Sequence, residues 1–258
     1  MTGPTTCAIH QPNLFPRLSV LAKLYTADIW VILDDVQYNN RDYQHRTRVA
    51  QADDPFTWQW LSLPAHRPTG RSSLVTDIKL VDQRRSRHRI ARLLHQRYGQ
   101  SPHWSMFSKE LQPVLDLLQH TDQLVETTEA STLMLLRLLG WHGEVRRSSA
   151  LPSRSDRSQR LADLAECVGA STYYCGTGGR RYLDVAPFTA MGIDVAWFEP
   201  PSSTDQEHLS MWSNARQISA AWAMLTFGFD AVGAELRALP ELAAPSASRP
   251  REPYPWTP

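Results

Sequence analysis

Three short stretches hold side chains of the kinds that move protons, grip oxyanions or let a backbone approach a ligand. The first is IHQPNLFP, where His10, Gln11 and Asn13 lie between an apolar run and a helical one. A loop that leads from a strand end into a helix gathers free backbone amides and the positive end of the helix dipole, which suits phosphate or carboxylate. His10, Gln11 and Asn13 would then donate to a ligand, accept from it, or transfer protons. The plainer alternative is that Pro12 and Pro16 shape a turn while His10 and Asn13 satisfy backbone groups.

The second stretch, LDDVQYNNRDYQHRTRV, sets Asp34, Asp35, Gln37, Tyr38, Arg41, Tyr43, Gln44, Arg46 and Arg48 in close order. Paired carboxylates at a strand end can hold a divalent ion or a sugar hydroxyl, and arginines offer forked donors to carboxylate or phosphate. An ion-pair network on a solvated loop is the competing reading. The third, CGTGGRRYLD, places Gly176, Gly178 and Gly179 before Arg180 and Arg181. Glycines allow close backbone approach to an anion, and the pattern departs from both GxGxxG and the Walker sequence. Cys175 beside it reads as a small packed residue rather than a nucleophile.

Other motifs are missing. The nine histidines include no HExxH or paired ligand spacing, and there is no GxSxG, so neither a zinc site nor a hydrolase triad is expected. The run RRSRHRIARLLHQRYGQSPHW, with Arg84, Arg85, Arg87, Arg89, Arg92 and Arg97, could track a phosphate backbone and more simply forms the solvated face of an amphipathic helix.

The elements that must position these residues follow from apolar spacing. TCAIH and DIWVILDDV are β-branched apolar runs joined by a helical stretch from Arg17 to Ala27, a strand, loop, helix, strand unit whose right-handed crossover makes the strands parallel. His10, Asp34 and Asp35 then fall at carboxyl strand ends, where open α/β sheets bind ligands. FTWQWLSLPA and VTDIKLVD read as further strands. Helices are expected from Arg84 to Tyr98, in WSMFSKELQPVLDLLQHT, in LVETTEASTLMLLRLLGW from Thr127 or Thr128, and in SRSDRSQRLADLAECVGA. STYYCG and IDVAWFEP read as strands, and SMWSNARQISAAWAMLTFG as one helix stopped by Gly228. The class is α/β, a mostly parallel sheet flanked by helices, with a Rossmann-like N-terminal half and a helical insertion. One domain is expected over residues 1–236, followed by a disordered Pro-rich tail over 237–258.

With 27 Lys and Arg against 26 Asp and Glu, the net charge of +1 draws the chain to neither nucleic acid nor membrane. Cys7, Cys167 and Cys175 show no disulfide spacing, and neither an export signal nor a membrane-span pattern appears, so a soluble cytoplasmic protein is expected.

The run from IHQPN and FP through Lys23, Asp28 and LDDVQY resembles the start of the WbqC-like family. LADLAECVGASTYYCGTGGRRYLD and PPSSTDQEHLSMWSNARQISAAWAMLTFG resemble that family's later motifs, so the likeness spans Cys7 to Gly228. It carries site roles to His10, Gln11, Asn13, Asp34, Asp35, Gln37, Tyr38, Arg41, Gln44, Arg46, Gly176, Gly178, Gly179, Tyr182 and Gln206, and matches Lys23. Arg17, Tyr43, His45 and Cys175 depart from it.

The resemblance implies tailoring of an amino sugar or amino acid derivative in surface-polysaccharide or specialised-metabolite assembly, on a small or carrier-bound substrate. Three mechanisms compete. In the first, suggested by a layout similar to the adenylating HUP fold, ATP and magnesium activate a carboxylate for transfer to an amine. There His10 meets phosphate or the leaving group, Asp35 places the amine or the magnesium ion, and Arg181 steadies phosphate charge. The second transfers a preactivated acyl or glycosyl group, with His10 or Asp35 as base. The third is a noncatalytic module presenting tRNA, a carrier protein or an oligosaccharide.

Overall fold

Two runs of alternating apolar residues, Thr6–His10 (β1) and Ile29–Ile32 (β2), bury side chains on both faces and pair in parallel from Cys7/Ile29 to His10/Ile32. Between them lies helix α1, Leu18–Tyr25, which buries almost every side chain it carries. The computed structural model describes residues 5–242.

A long insertion follows β2. It holds an antiparallel ribbon, β3 (Arg46–Ala50) with β4 (Trp58–Ser62), and a minor pair, β5 (Ala65–His66) with β6 (Lys79–Leu80). Helices α2 (Gln83–Tyr98), α3 (Trp104–Leu117) and α4 (Leu124–Leu138) complete it. The chain then returns to the sheet as β7 (Glu144–Arg147), crosses through α5 (Arg157–Cys167) to β8 (Thr172–Gly176), and crosses again through α6 (Ala186–Ala190) to β9 (Asp194–Phe198). Helices α7 (Ala221–Phe227) and α8 (Phe229–Leu242) close it.

All the pairings of the five-stranded sheet are parallel, and its order is β7-β2-β1-β8-β9. The order reverses between β1 and β8, the switch point at which such sheets open a crevice. Alternation along the strands sends Ala8, Trp30 and Ile32 into a core shared with α1 and the insertion, and Cys7, Ile9, Ile29 and Val31 into a second core shared with α5 and α6. Helices on both faces make this the α/β architecture expected from sequence.

Several elements differ from expectation. Helix α4 begins at Leu124, whose amide is satisfied by the Ile78 carbonyl at 3.0 Å, so no Thr cap is needed, and Thr127 and Thr128 lie buried inside the helix. VTDIKLVD forms a single 3-10 turn, Val75–Asp77, and then only the short β6. SMWSNARQIS runs through turns, with Asn214 at φ 52°, and the helix starts only at Ala221. Gly228 does end it, at φ 89°, where a side chain would be strained. The charged run after Asp35 ends in strand β3, and the polar segment EVRR is the edge strand β7. Helix α8 carries the chain through 237–242, past the boundary expected for the tail; the rest of that tail, 243–258, lies outside the described residues. Among the described residues no helix is long and apolar enough to cross a membrane.

Candidate functional site

Pairing between β1 and β8 is confined to Thr6/Thr172 and Cys7/Tyr173, whereas β1 stays paired with β2 to His10 and β8 with β9 to Gly176. Past Cys7 the two central strands are unpaired, at the switch point where sheets of this kind form their ligand crevice. Lys23, reaching in from α1, is only 5% exposed. Its ammonium donates to the Ile9 carbonyl at 3.1 Å and would lie 3.9 Å from a Cβ built on Gly176. Among the described residues it forms no ion pair.

His10 ends β1 at the lip of this crevice. Its Nδ1 lies 2.7 Å from the Gln11 carbonyl. A carbonyl only accepts, so Nδ1 carries the proton and Nε2 is left with its lone pair. Burial of the ring, then the charge of Lys23, push the imidazole down to about 3 against the pull of the Gln11 carbonyl, with Arg17 adding to the fall. His10 is neutral at pH 7. Burial likewise pushes the Lys23 ammonium down to about 8, the thiols of Cys175 and Cys7 opposing.

The loop that follows is held from several sides. Leu14 donates to the Tyr43 carbonyl at 3.0 Å and Phe15 to the Ser131 hydroxyl at 3.1 Å, while the Asn13 and Phe15 carbonyls accept from Thr132 and Thr47. Phe15 is fixed at φ 41°, a left-handed conformation that costs a bulky residue about 1–3 kcal/mol and persists only where the surroundings dictate it. Gln11 accepts from Gln44 at 2.8 Å; Gln44, fully buried, also accepts from the Asn39 amide. Asn13 is buried, and its side-chain oxygen has no partner.

The carboxylates after β2 are differently placed. Asp34 is fully buried and accepts from the Ser149 amide at 3.0 Å and the Ser149 hydroxyl at 2.8 Å, and it competes with Asp35 for the single proton of the Ser148 hydroxyl 3.1 Å away, all on the 3-10 turn after β7. Asp35 binds the Ser148 hydroxyl and forms an ion pair with Arg160 of α5. Both acids thus tie β2 to neighbouring elements. Gln37 is exposed and donates to the Arg71 carbonyl. Tyr38 shares a proton with His45 across 2.6 Å; burial pushes the phenol up to about 12 and the imidazole down to about 4. Arg46 lies 4.2 Å over the Trp60 ring and donates to the carbonyls of Arg41 and Asp42, and Arg41 itself points to solvent.

On the other side of the crevice, Gly176 ends β8 and Gly178 is exposed, whereas Gly179 is buried so tightly that an added Cβ would meet the Cys175 sulfur at 2.2 Å. Cys175 is 2% exposed, and burial raises its thiol, with Lys23 opposing. Arg180 faces Glu199 at 3.6 Å, Glu199 faces Arg216 at 3.5 Å, and Arg17 donates to the Arg216 carbonyl, which links the loops after β1, β8 and β9 into one rim. Arg181 is exposed, the exposed Tyr182 ring lies under Arg157 at 3.6 Å, and Gln206 is on an exposed loop with no hydrogen bond to these groups. The geometry brings together His10, Gln11, Gln44, Gly176 and the unforeseen Lys23. Asp34, Asp35 and Arg46 are held by protein groups.

Magnesium, expected by analogy with adenylating enzymes, does not fit the aspartates, whose oxygens already serve Ser148, Ser149 and Arg160. Among the described residues no three His, Cys, Asp or Glu side chains converge on a point. A depression of about 860 Å³ lies on the insertion between Arg84, Arg87 and Leu118–Asp122. It lies on the insertion helices, away from the strand ends, and Arg87 there is paired with Asp116.

The model of the WbqC-like protein family matches residues 11–211, from the His10 loop to the start of the final turns. The chain belongs to that family. An uncharacterized protein of Mycobacterium tuberculosis, Rv1507c, is similar to this WbqC-like chain, with 26% identity over 202 residues, 78% of this chain and 85% of the relative. No solved structure matches. The matched span begins one residue after His10 and contains the glycine loop after β8 and Lys23, which the sequence motif had marked without a role.

Proposed function

We propose that this WbqC-like protein is a tailoring transferase. It passes an acyl or aminoacyl group from a preactivated donor to the amine of a small amino acid or amino sugar derivative, in specialised-metabolite or surface-polysaccharide assembly. One observation carries this reading: the Gln11 carbonyl holds the proton on Nδ1 of His10, so Nε2 keeps its lone pair, on a residue that ends β1 at the switch point. An amine attacking the donor carbonyl forms the new C–N bond and gives its proton to Nε2. The bond from that carbon to the leaving group then breaks, and Nε2–H returns the proton to the departing atom.

A preactivated donor is favoured over ATP activation because both aspartates are engaged by the protein and do not fit a metal ion. The test is product formation by mass spectrometry from a panel of thioester, acyl phosphate and ATP-plus-carboxylate donors with amine acceptors. Transfer that falls by roughly 10²- to 10⁴-fold in His10→Ala, the usual worth of a positioned acid-base group, supports the reading. Transfer at the native rate by His10→Ala overturns it.

A further inference from the structure

Lys23 is a buried cation without a counter-charge. Its ammonium has three N–H donors and one recorded acceptor, the Ile9 carbonyl. The titratable groups around it are the Cys7 and Cys175 thiols, which burial keeps protonated, and the neutral His10, with cationic Arg17 beyond. None of these supplies negative charge at pH 7. Desolvating an ammonium is costly unless an anion and further hydrogen bonds compensate it, and a leucine or methionine would fill the same place on α1 without that cost. The surroundings leave room for a partner: β1 and β8 make no pairing past Cys7/Tyr173, and Gly176 puts no side chain against the ammonium.

The geometry points to an oxyanion subsite at the floor of the crevice, where Lys23 and the Gly176–Gly178 backbone receive a carboxylate or phosphate oxygen of the substrate while His10 handles the proton at the lip. This rests on the transferase reading and adds the substrate's class: one reactant carries an anion next to its reacting group. The anion also has a consequence for His10. Lys23 and Arg17 both depress its basicity, so a neutralising oxyanion strengthens the base only when substrate is in place.

The test uses the full chain with inorganic phosphate, pyrophosphate and acetate as probes, read by calorimetry and by the carbon-13 titration of the Lys23 side chain. Saturable binding that raises the Lys23 titration midpoint is expected, with phosphates or acetate responding according to which oxyanion the site takes. Lys23→Met should weaken binding by roughly 10- to 100-fold, the worth of one charge-assisted hydrogen bond, while melting no lower than the native chain. Lys23→Arg keeps the charge and should retain part of the binding. If no probe moves the Lys23 titration, or if Lys23→Met melts lower and binds every probe as well as the native chain does, Lys23 is a strut for Ile9 and the subsite is overturned. His10→Ala separates the two readings: it should still bind the probe, so loss of transfer without loss of anion binding speaks to the base, and the reverse pattern in Lys23→Met speaks to the floor.

Discussion

The loops after β1 and β2 leave side by side from the carboxyl end of the sheet, and both are dense in groups that could do chemistry. After β2, Asp34 accepts twice from Ser149, the two aspartates share the one Ser148 hydroxyl proton, and Asp35 pairs with Arg160. Their lone pairs hold β7 and α5 against β2. After β1, His10 keeps an unpartnered Nε2, Lys23 has one acceptor for three donors, and the Asn13 side-chain oxygen has none. Polar groups left short of partners in a protein interior are costly, so the first loop is where capacity is held for something other than the fold. Residue type alone does not separate the two loops; the occupancy of the hydrogen-bonding groups does.

The largest expected effect breaks the comparison if it fails. Asp34→Ala removes a fully buried carboxylate that accepts from the amide and hydroxyl of Ser149 and shares the buried Ser148 hydroxyl, and should destabilise by roughly 3 kcal/mol in urea unfolding. His10→Gln keeps most of the buried volume and should change stability by no more than about 1 kcal/mol, while removing transfer. Equal losses of stability at the two positions would mean that both loops serve the fold.

A second effect sharpens the contrast through pH. The folded state lowers the Lys23 midpoint from 10.5 to about 8, so the unfolded chain holds more protons between those values. Stability from this group is fully present above pH 10.5 and is lost as pH falls through about 8, a penalty near neutrality of roughly 3 kcal/mol. Cys7, raised to about 12, acts in the opposite sense above pH 9, so the informative quantity is the difference between Lys23→Met and the native chain. That difference should favour the variant below pH 8 and shrink as pH rises to 10.5. On the acid side, His10 and His45 lose their contribution as pH falls from 6.5 toward about 3 and about 4.

Much of the frame was legible because burial writes itself as apolar spacing: TCAIH and DIWVILDDV on the central strands, and the periodic run ended by Gly228 at the close of α7. EVRR was not legible as a strand because β7 is an edge with alternate side chains in water, and RTRVA hid its alternation behind arginines that cover Trp58 and Trp60. SMWSNARQIS has helical spacing yet turns, since its apolar residues meet the core through loops braced by Asn214. In the site, polar types at strand ends were visible from sequence. Their partners were not: Ser148, Ser149 and Arg160 are far along the chain, and nothing in their local sequence marks them. Lys23 was visible only as a motif position, because a lysine in an amphipathic helix is ordinarily taken for its solvated face.

The smallest effect divides the glycine loop along the same line. Gly179→Ala puts a methyl group 2.2 Å from the Cys175 sulfur and should cost about 1–3 kcal/mol. Cys175→Ala should relieve most of that in the double variant, since the next contact, the Cys175 Cβ, is 3.9 Å away. Gly179 is therefore required by the protein's own packing. Gly178 has nothing within 4 Å of an added Cβ and an ordinary negative φ of −62°, so Gly178→Ala should leave stability within about 0.5 kcal/mol. A methyl group there can obstruct only a molecule entering the crevice. Weaker phosphate or acetate binding by Gly178→Ala at unchanged stability would place the loop against the ligand, and unchanged binding would confine the anion to the Lys23 and Gly176 end of the crevice.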